Sequence, residues 1–216
     1  YNYSERWIRN QFVSGRFLTL WNKMWNKTLY ICRCNSISGG MMGKNAKITA
    51  LRTFQPDILA IQSAVMIGAV GNDAAMPVYN HFRHKVARLD TVRLTAHPGF
   101  GDGFADITGA KVLSALLTDF AKLQKDAVPK AVQTGYFGSA EQIFPVADFI
   151  KSSQKTDDIF YLLDPVLGDA GKIYVDQAIA DAMQEELVPL ADMITPNAFE
   201  LGLLVSKPIH SLEIAE

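Results

Sequence analysis

From Pro56 onward the chain repeats one pattern: a short apolar run, a polar or glycine-bearing break, then a stretch with helical spacing. Short runs rich in β-branched and aromatic residues read as strands. Strands separated by helix-length segments cannot close as hairpins, so they pair in parallel through crossover connections. The strand candidates are residues 58–62, 86–94, 131–136, 159–163 and 193–195. Between them, Asn72 is placed to cap a helix through Phe82. Leu113, Leu116, Leu117, Phe120 and Leu123 recur at helical spacing as core-facing residues, and Phe144, Ala147 and Ile150 mark another helix. Residues 175–187 and 198–205 read as two more helices, the last entered through Asn197. The fold class implied is α/β, a mostly parallel central sheet with helices on both faces.

Each strand candidate ends in polar chemistry. Residues 159–163 run into Asp164-Pro165, and proline holds its predecessor extended, which sets Asp164 at the strand's C-terminal end. Gly168 is expected to turn the chain, and Asp169 adds a second carboxylate able to handle a metal-bound phosphate. Residues 58–62 end in Ser63, residues 131–136 carry Thr134-Gly135-Tyr136, and residues 193–195 lead to Pro196-Asn197. Parallel sheets bind ligands outside the carboxyl ends of their strands, so these groups are expected to converge on one cleft. Ser63 suits a hydrogen bond to a small ligand or a strand-end cap. Tyr136 suits contact with an aromatic ligand or a place at the core's edge. The glycine-rich loop from His97 to Phe104 reads as a hinged lid rather than a phosphate loop, since no helix follows it directly. No G-x-x-x-x-G-K-[ST] occurs. His81 and His84 share a helix face without a third ligand and read as surface residues, and His210 has no visible partner.

The composition sets limits. A formal net charge of -1 over 216 residues, 49% of them apolar, suggests neither nucleic acid nor an anionic membrane as partner. No apolar run approaches the roughly 18–20 residues that span a bilayer. Cys32 and Cys34 are too close for an ordinary disulfide and lack a second pair for zinc, so a reducing, cytoplasmic setting is expected. Residues 1–43 differ from the rest. They hold Trp7, Trp21 and Trp25, both cysteines, and six basic residues against the single acid Glu5, and end in Gly39-Gly40-Met41-Met42-Gly43. Without a helical period or a cleavage-like site, they read as a poorly structured extension foreign to the domain, with Met41 or Met42 as the natural start.

Five motifs carry a resemblance: Ile61-Gln-Ser63 with Gly68-x-x-Gly-Asn72, Thr134-Gly-Tyr136, Asp164-Pro-Val-Leu-Gly-Asp169, and Thr195-Pro-Asn-x-Phe-Glu200. In order and spacing they resemble the pyridoxal kinases of the ribokinase-like superfamily, from about Asp57 to the C-terminus. The resemblance implies ATP-dependent phosphorylation of the hydroxymethyl group of pyridoxal, pyridoxine or pyridoxamine by a homodimer. It implies that Ser63 contacts the ring's polar groups and that Val70, Val92, Leu94, His97, Pro98 and Tyr136 line the ring pocket. Asp164, Thr195, Asn197 and Glu200 would serve ATP, and Asp164, Asp169, Thr195 and Glu200 would serve Mg2+, with K+ or Na+ as a further cofactor the family allows.

Three departures qualify this. Ala64 stands where the family has His, and Ala96-His-Pro-Gly-Phe100 stands for Asn-His-Thr-Gly-Tyr. The Gly-Thr-Gly-Asp stretch that supplies an anion hole and the catalytic base is absent, and Gly99-Phe-Gly-Asp102 lies in the wrong loop to replace it. Residues 44–216 therefore read as the N-terminal two-thirds of a kinase domain, with the base expected downstream of Glu216 and the piece itself inactive. Two rivals remain. A hydroxymethylpyrimidine kinase shares the Asp-Pro-Val and Thr-Pro-Asn elements but opens with a serine/glycine-rich turn where Gln62-Ser63-Ala-Val-Met stands here. A non-catalytic pyridoxal-binding or dimerisation module is the other.

Overall fold

The computed structural model describes residues 55–101, 103–123 and 128–209, so the expectations for residues 1–43, Asp102 and His210 fall outside the described residues. The strands are β1 (Ile58–Ile67), β2 (Val86–Ala96), β3 (Ala105–Ile107), β4 (Ala131–Thr134), β5 (Phe160–Leu163), β6 (Gly168–Asp169), β7 (Lys172–Ile173) and β8 (Met193–Ile194). The α-helices are α1 (Asn72–His81), α2 (Ala110–Leu123), α3 (Ile143–Thr156), α4 (Gln177–Ala182) and α5 (Ala198–Leu204). Six strands form one sheet in the order β3-β2-β1-β4-β5-β8, and β6 and β7 form a separate two-stranded hairpin. Every neighbouring pair in the large sheet is parallel except β2 with β3.

The register explains the packing. Leu59, Val132 and Tyr161 lie side by side, as do Ile61, Thr134 and Leu163. These rows present one apolar face, and Leu117 of α2 with Ile143, Val146 and Ile150 of α3 bury it, joined by Ile179, Met183 and Leu187. Thr134 is the polar member of its row. Its hydroxyl is satisfied by the buried Tyr161 hydroxyl at 2.7 Å, and burial pushes that phenol's pKa well up. Beside the other edge of β1, Asp73 of α1 pairs with Arg88 of β2 at 2.8 Å, and Arg88 also pairs with Asp90 at 2.7 Å.

Several boundaries differ from the sequence reading. β1 does not stop at Ser63 but runs on to Ile67. β4 ends at Thr134, which leaves Tyr136 in the following loop. Beyond Ile61 and its partner Thr134, β1 is paired with β2 alone, and β2 in turn with the unforeseen β3. This overhang could not be read from hydrophobic pattern, because Met66 is 83% exposed and Phe104 75% exposed. In α2 only Leu113 and Leu117 are buried, while Leu116 and Leu123 face outward, so the apolar stripe is wider than the core it meets. Residues 175–187 are not one regular helix. Asp176 caps α4, and a looser π-type turn follows at Met183–Leu187. His84 lies beyond the end of α1 and so does not share its face with His81.

Candidate functional site

The site is built where three parallel strands, β4, β5 and β8, stop at one level beside β1, which runs on past them. Ile61, Thr134, Leu163 and Ile194 are in mutual register across β1, β4, β5 and β8. The ladder continues one residue further: Gly135 donates to the Ile61 carbonyl at 3.1 Å, Asp164 to Thr134 at 2.9 Å, and Thr195 to Leu163 at 3.0 Å. Residues expected to converge from distant motifs therefore meet at the carboxyl edge. The Thr195 hydroxyl donates to Asp164 Oδ1 at 3.2 Å. Asp164 is half-buried, and its pKa is raised, first by that burial and then by the neighbouring Glu200 charge, against the opposing hydrogen bond from Thr195.

Below Asp164 the chain enters the β6–β7 hairpin. The turn is made by Ala170 and Gly171, both with positive φ, and not by Gly168 as the sequence suggested. Gly168 is needed for space instead: a Cβ there would run into the Lys172 carbonyl and the Phe199 ring. Asp169 is consequently a strand residue, exposed, with Oδ1 accepting from the Ala170 amide at 2.7 Å.

Asn197 and Glu200 have a different task from Asp164. They form a capping box on α5: Asn197 Oδ1 accepts from the Glu200 amide, and Glu200 Oε2 accepts from the Asn197 amide, each at 2.9 Å. Glu200 Oε1 also accepts from Leu167 at 3.0 Å and Gly168 at 3.4 Å, and Asn197 Nδ2 donates to the Gly168 carbonyl at 2.9 Å. Both Glu200 oxygens are thus engaged by backbone amides, and the side chain is buried. The pair clamps the segment that carries Asp164. Among the described residues, no three His, Cys, Asp or Glu side chains form a group able to hold a metal.

The other half of the edge lies on β1, β2 and the loop after β4. Ser63 is buried beside Gly71, where a Cβ would collide with the Ser63 carbonyl and lie 2.6 Å from its hydroxyl oxygen. Val92 is buried, and Val70, Leu94 and Tyr136 are partly so. Burial raises the Tyr136 pKa. His97 and Pro98 are exposed at a short 3-10 turn, where His97 Nδ1 accepts from Gly99 at 3.0 Å.

Two polar residues have roles that the sequence reading did not assign. Asn72 is not the cap of α1, since Gly71 occupies that position. Its buried amide donates to the carbonyls of Gln62 at 3.3 Å and Leu89 at 3.2 Å and to Asp90 Oδ1 at 2.8 Å. Asp73 accepts from the Val65 amide at 2.6 Å, so the start of α1 is fastened to β1 where β1 and β2 shift register. The second is Gln142, whose Ser139-x-x-Gln142 spacing is a capping-box signal visible in the chain. Among the described residues, Gln62 Nε2 and Asn72 Oδ1 lack a hydrogen-bond partner.

Comparison with known proteins agrees with this geometry. A family profile described as phosphomethylpyrimidine kinase matches residues 110–216. Pyridoxal kinase PdxY of Vibrio parahaemolyticus is 36% identical over 162 residues, covering 73% of this chain and 56% of that protein. Pyridoxal kinase of Sus scrofa is 33% identical over 163 residues, covering 73% of this chain and 50% of that protein. The structure of pyridoxal kinase from Leishmania donovani in complex with ADP and pyridoxine aligns with a TM-score of 0.67 at 27% identity, covering 73% of this chain and 56% of that one. The chain spans about half the length of the curated relatives it matches. Five motifs, a mostly parallel sheet and these relatives agree, and over 73% of its length the chain is similar to pyridoxal kinases of the ribokinase-like superfamily.

Proposed function

We propose that this chain supplies the vitamin-binding side and part of the nucleotide side of an ATP-dependent kinase that phosphorylates the hydroxymethyl group of pyridoxal, pyridoxine or pyridoxamine. One observation carries the reading: Asp164 and Thr195 are hydrogen-bonded to each other at the carboxyl edge of the same sheet that buries Ser63 and Val92. Ser63, with Val70, Val92, Leu94 and Tyr136, serves the ring, and His97 and Pro98 sit on the overhang above it. Asp164 and Thr195 serve the phosphates, while Asn197 and Glu200 hold them in place through the Gly168 segment. Magnesium keeps several waters and takes only one or two protein carboxylates beside substrate phosphates. Asp164, with Asp169 on the hairpin, fits that modest demand better than a full protein cage. When bound, the ion would neutralise charge on the transferring phosphoryl group. A monovalent cation, a homodimer and a cytoplasmic setting belong to the same reading. The exposed apolar overhang offers a surface for self-association.

The 216 residues contain no Gly-Thr-Gly-Asp. We therefore expect binding to be measurable on this chain, and the transfer step to be slowed by about 10²–10⁴ for want of a placed base. The test is calorimetric titration with pyridoxine and with MgATP on the unmodified chain and on Asp164→Asn. The expected result is pyridoxine binding by both and weaker MgATP binding by the variant. Equal MgATP affinity in the two proteins would remove Asp164 from the phosphate side.

The family profile's description, phosphomethylpyrimidine kinase, favours a second reading, a kinase of hydroxymethylpyrimidine or its phosphate. Hydroxymethylpyrimidine binding more tightly than pyridoxine in the same titration would select it.

A further inference from the structure

We infer that Gln142 is the positioning residue of the vitamin-ring side of the site, an inference that rests on the kinase reading above. Gln142 is fully buried at the entry to α3, and its amide is saturated. Oε1 accepts from the amides of Gly138 at 2.8 Å and Ser139 at 3.3 Å. Nε2 donates to the carbonyls of Thr91 at 2.7 Å and Thr108 at 2.6 Å. A primary amide offers two donors and two acceptor lone pairs, so all four are spent on backbone from three separate segments.

Those segments carry the ring wall. Thr91 precedes Val92, and its hydroxyl donates to the Tyr136 carbonyl at 2.6 Å. Gly138 lies so close to Val92 that a Cβ on it would stand 2.6 Å from Cγ2. Thr108 follows β3 and returns a hydrogen bond from its amide to the Thr91 carbonyl at 2.9 Å. One side chain thus sets the spacing between the Tyr136 loop, the Val92 strand and the root of the overhang.

Helix capping does not account for this. A capping box at this position is served equally by Glu or Gln, because only an acceptor oxygen is used. The two Nε2 bonds, which cross to β2 and to the end of β3, require an amide. Gln142→Glu keeps the acceptor and aims a second oxygen at two carbonyls, so it separates capping from positioning.

The test uses the whole 216-residue chain, with pyridoxine as probe because it lacks the aldehyde that condenses with lysines. Three variants are compared with the unmodified chain: Gln142→Glu, Thr91→Val, which removes only the hydroxyl tie to Tyr136, and Ile150→Val, a core change in α3 distant from these bonds. The expected result is pyridoxine binding weakened roughly five- to tenfold in Gln142→Glu and Thr91→Val, with MgATP binding unchanged. Ile150→Val should melt lower with both affinities intact. If Gln142→Glu does not fold, Thr91→Val decides. A lower melting temperature with unaltered pyridoxine affinity, or equal losses for both ligands, would overturn the inference in favour of a purely structural glutamine. No pyridoxine binding by the unmodified chain would overturn the kinase reading and this inference with it.

Discussion

Asp164 is held in a costly state. Its carboxyl is half-buried, with Glu200 nearby and a single hydroxyl donor, and its pKa is raised. A carboxyl with a higher pKa folded than unfolded binds more protons in the native state between the two values, so stability falls as pH rises through that window. Asp164→Asn keeps an oxygen for the Thr195 hydroxyl and removes the charge. The variant should therefore melt above the unmodified chain at pH 7, and the gap should close as the pH falls through the raised native pKa, where the carboxyl takes up its proton. Melting curves across that range check it; a variant less stable at pH 7 would mean that the charge is compensated by more than the Thr195 hydroxyl. Glu200 is the opposite case, since both its carboxylate oxygens accept from backbone amides. Glu200→Gln turns an NH2 toward at least one of those amides and should cost about 1–3 kcal/mol in denaturant unfolding. Asp164 was legible from Asp-Pro at the end of an apolar run. The clamp role of Glu200 was not, because it depends on a partner loop 33 residues away in the chain.

At the scale of elements, local chemistry was a good guide wherever the partner was also local. Asn197-x-x-Glu200 announces the start of α5, and Leu113 and Leu117 mark the face of α2 that meets the core. It misled where an element's end is decided by its neighbour. β1 carries past Ser63 because β2 goes on pairing with it, not because its own side chains demand it. The junction between β1 and α1 depends on Gly71, whose φ of 53° and contact with Ser63 both exclude a side chain. Gly71→Ala should destabilise the chain by about 1–3 kcal/mol and weaken pyridoxine binding, since Ser63 must move to make room. Denaturant titration with a parallel pyridoxine titration measures both. Unchanged ligand affinity would detach Ser63 from the ring.

The whole molecule leaves apolar surface where the overhang projects. Met66 and Ile67 at the end of β1, with Phe100 and Phe104 beyond β2, are all exposed. Patches of this kind mark interaction surfaces or aggregation risk in a soluble chain. Concentration-dependent self-association is the expected behaviour in sedimentation experiments. The double change Met66→Lys and Phe104→Ser should reduce it without lowering the melting temperature, because neither side chain is packed into the core. Persistent association would place the contact elsewhere, for example along the short edge strand β8.

The amino-acid order alone determined that strands and helices alternate, that the strands pair in parallel, and that Ser63, Tyr136, Asp164 and Thr195 come to one edge. Each of these follows from period and punctuation within a window of a few residues. Tertiary structure alone decided how far β1 and β2 outrun the sheet. It also decided that Gly168 is a packing glycine rather than a turn, and that the side-chain amides of Asn72 and Gln142 and the carboxylate of Glu200 reach backbone distant in sequence. Those outcomes depend on which carbonyls and amides the fold leaves unsatisfied, and a buried polar group takes its partner from space, not from sequence neighbours.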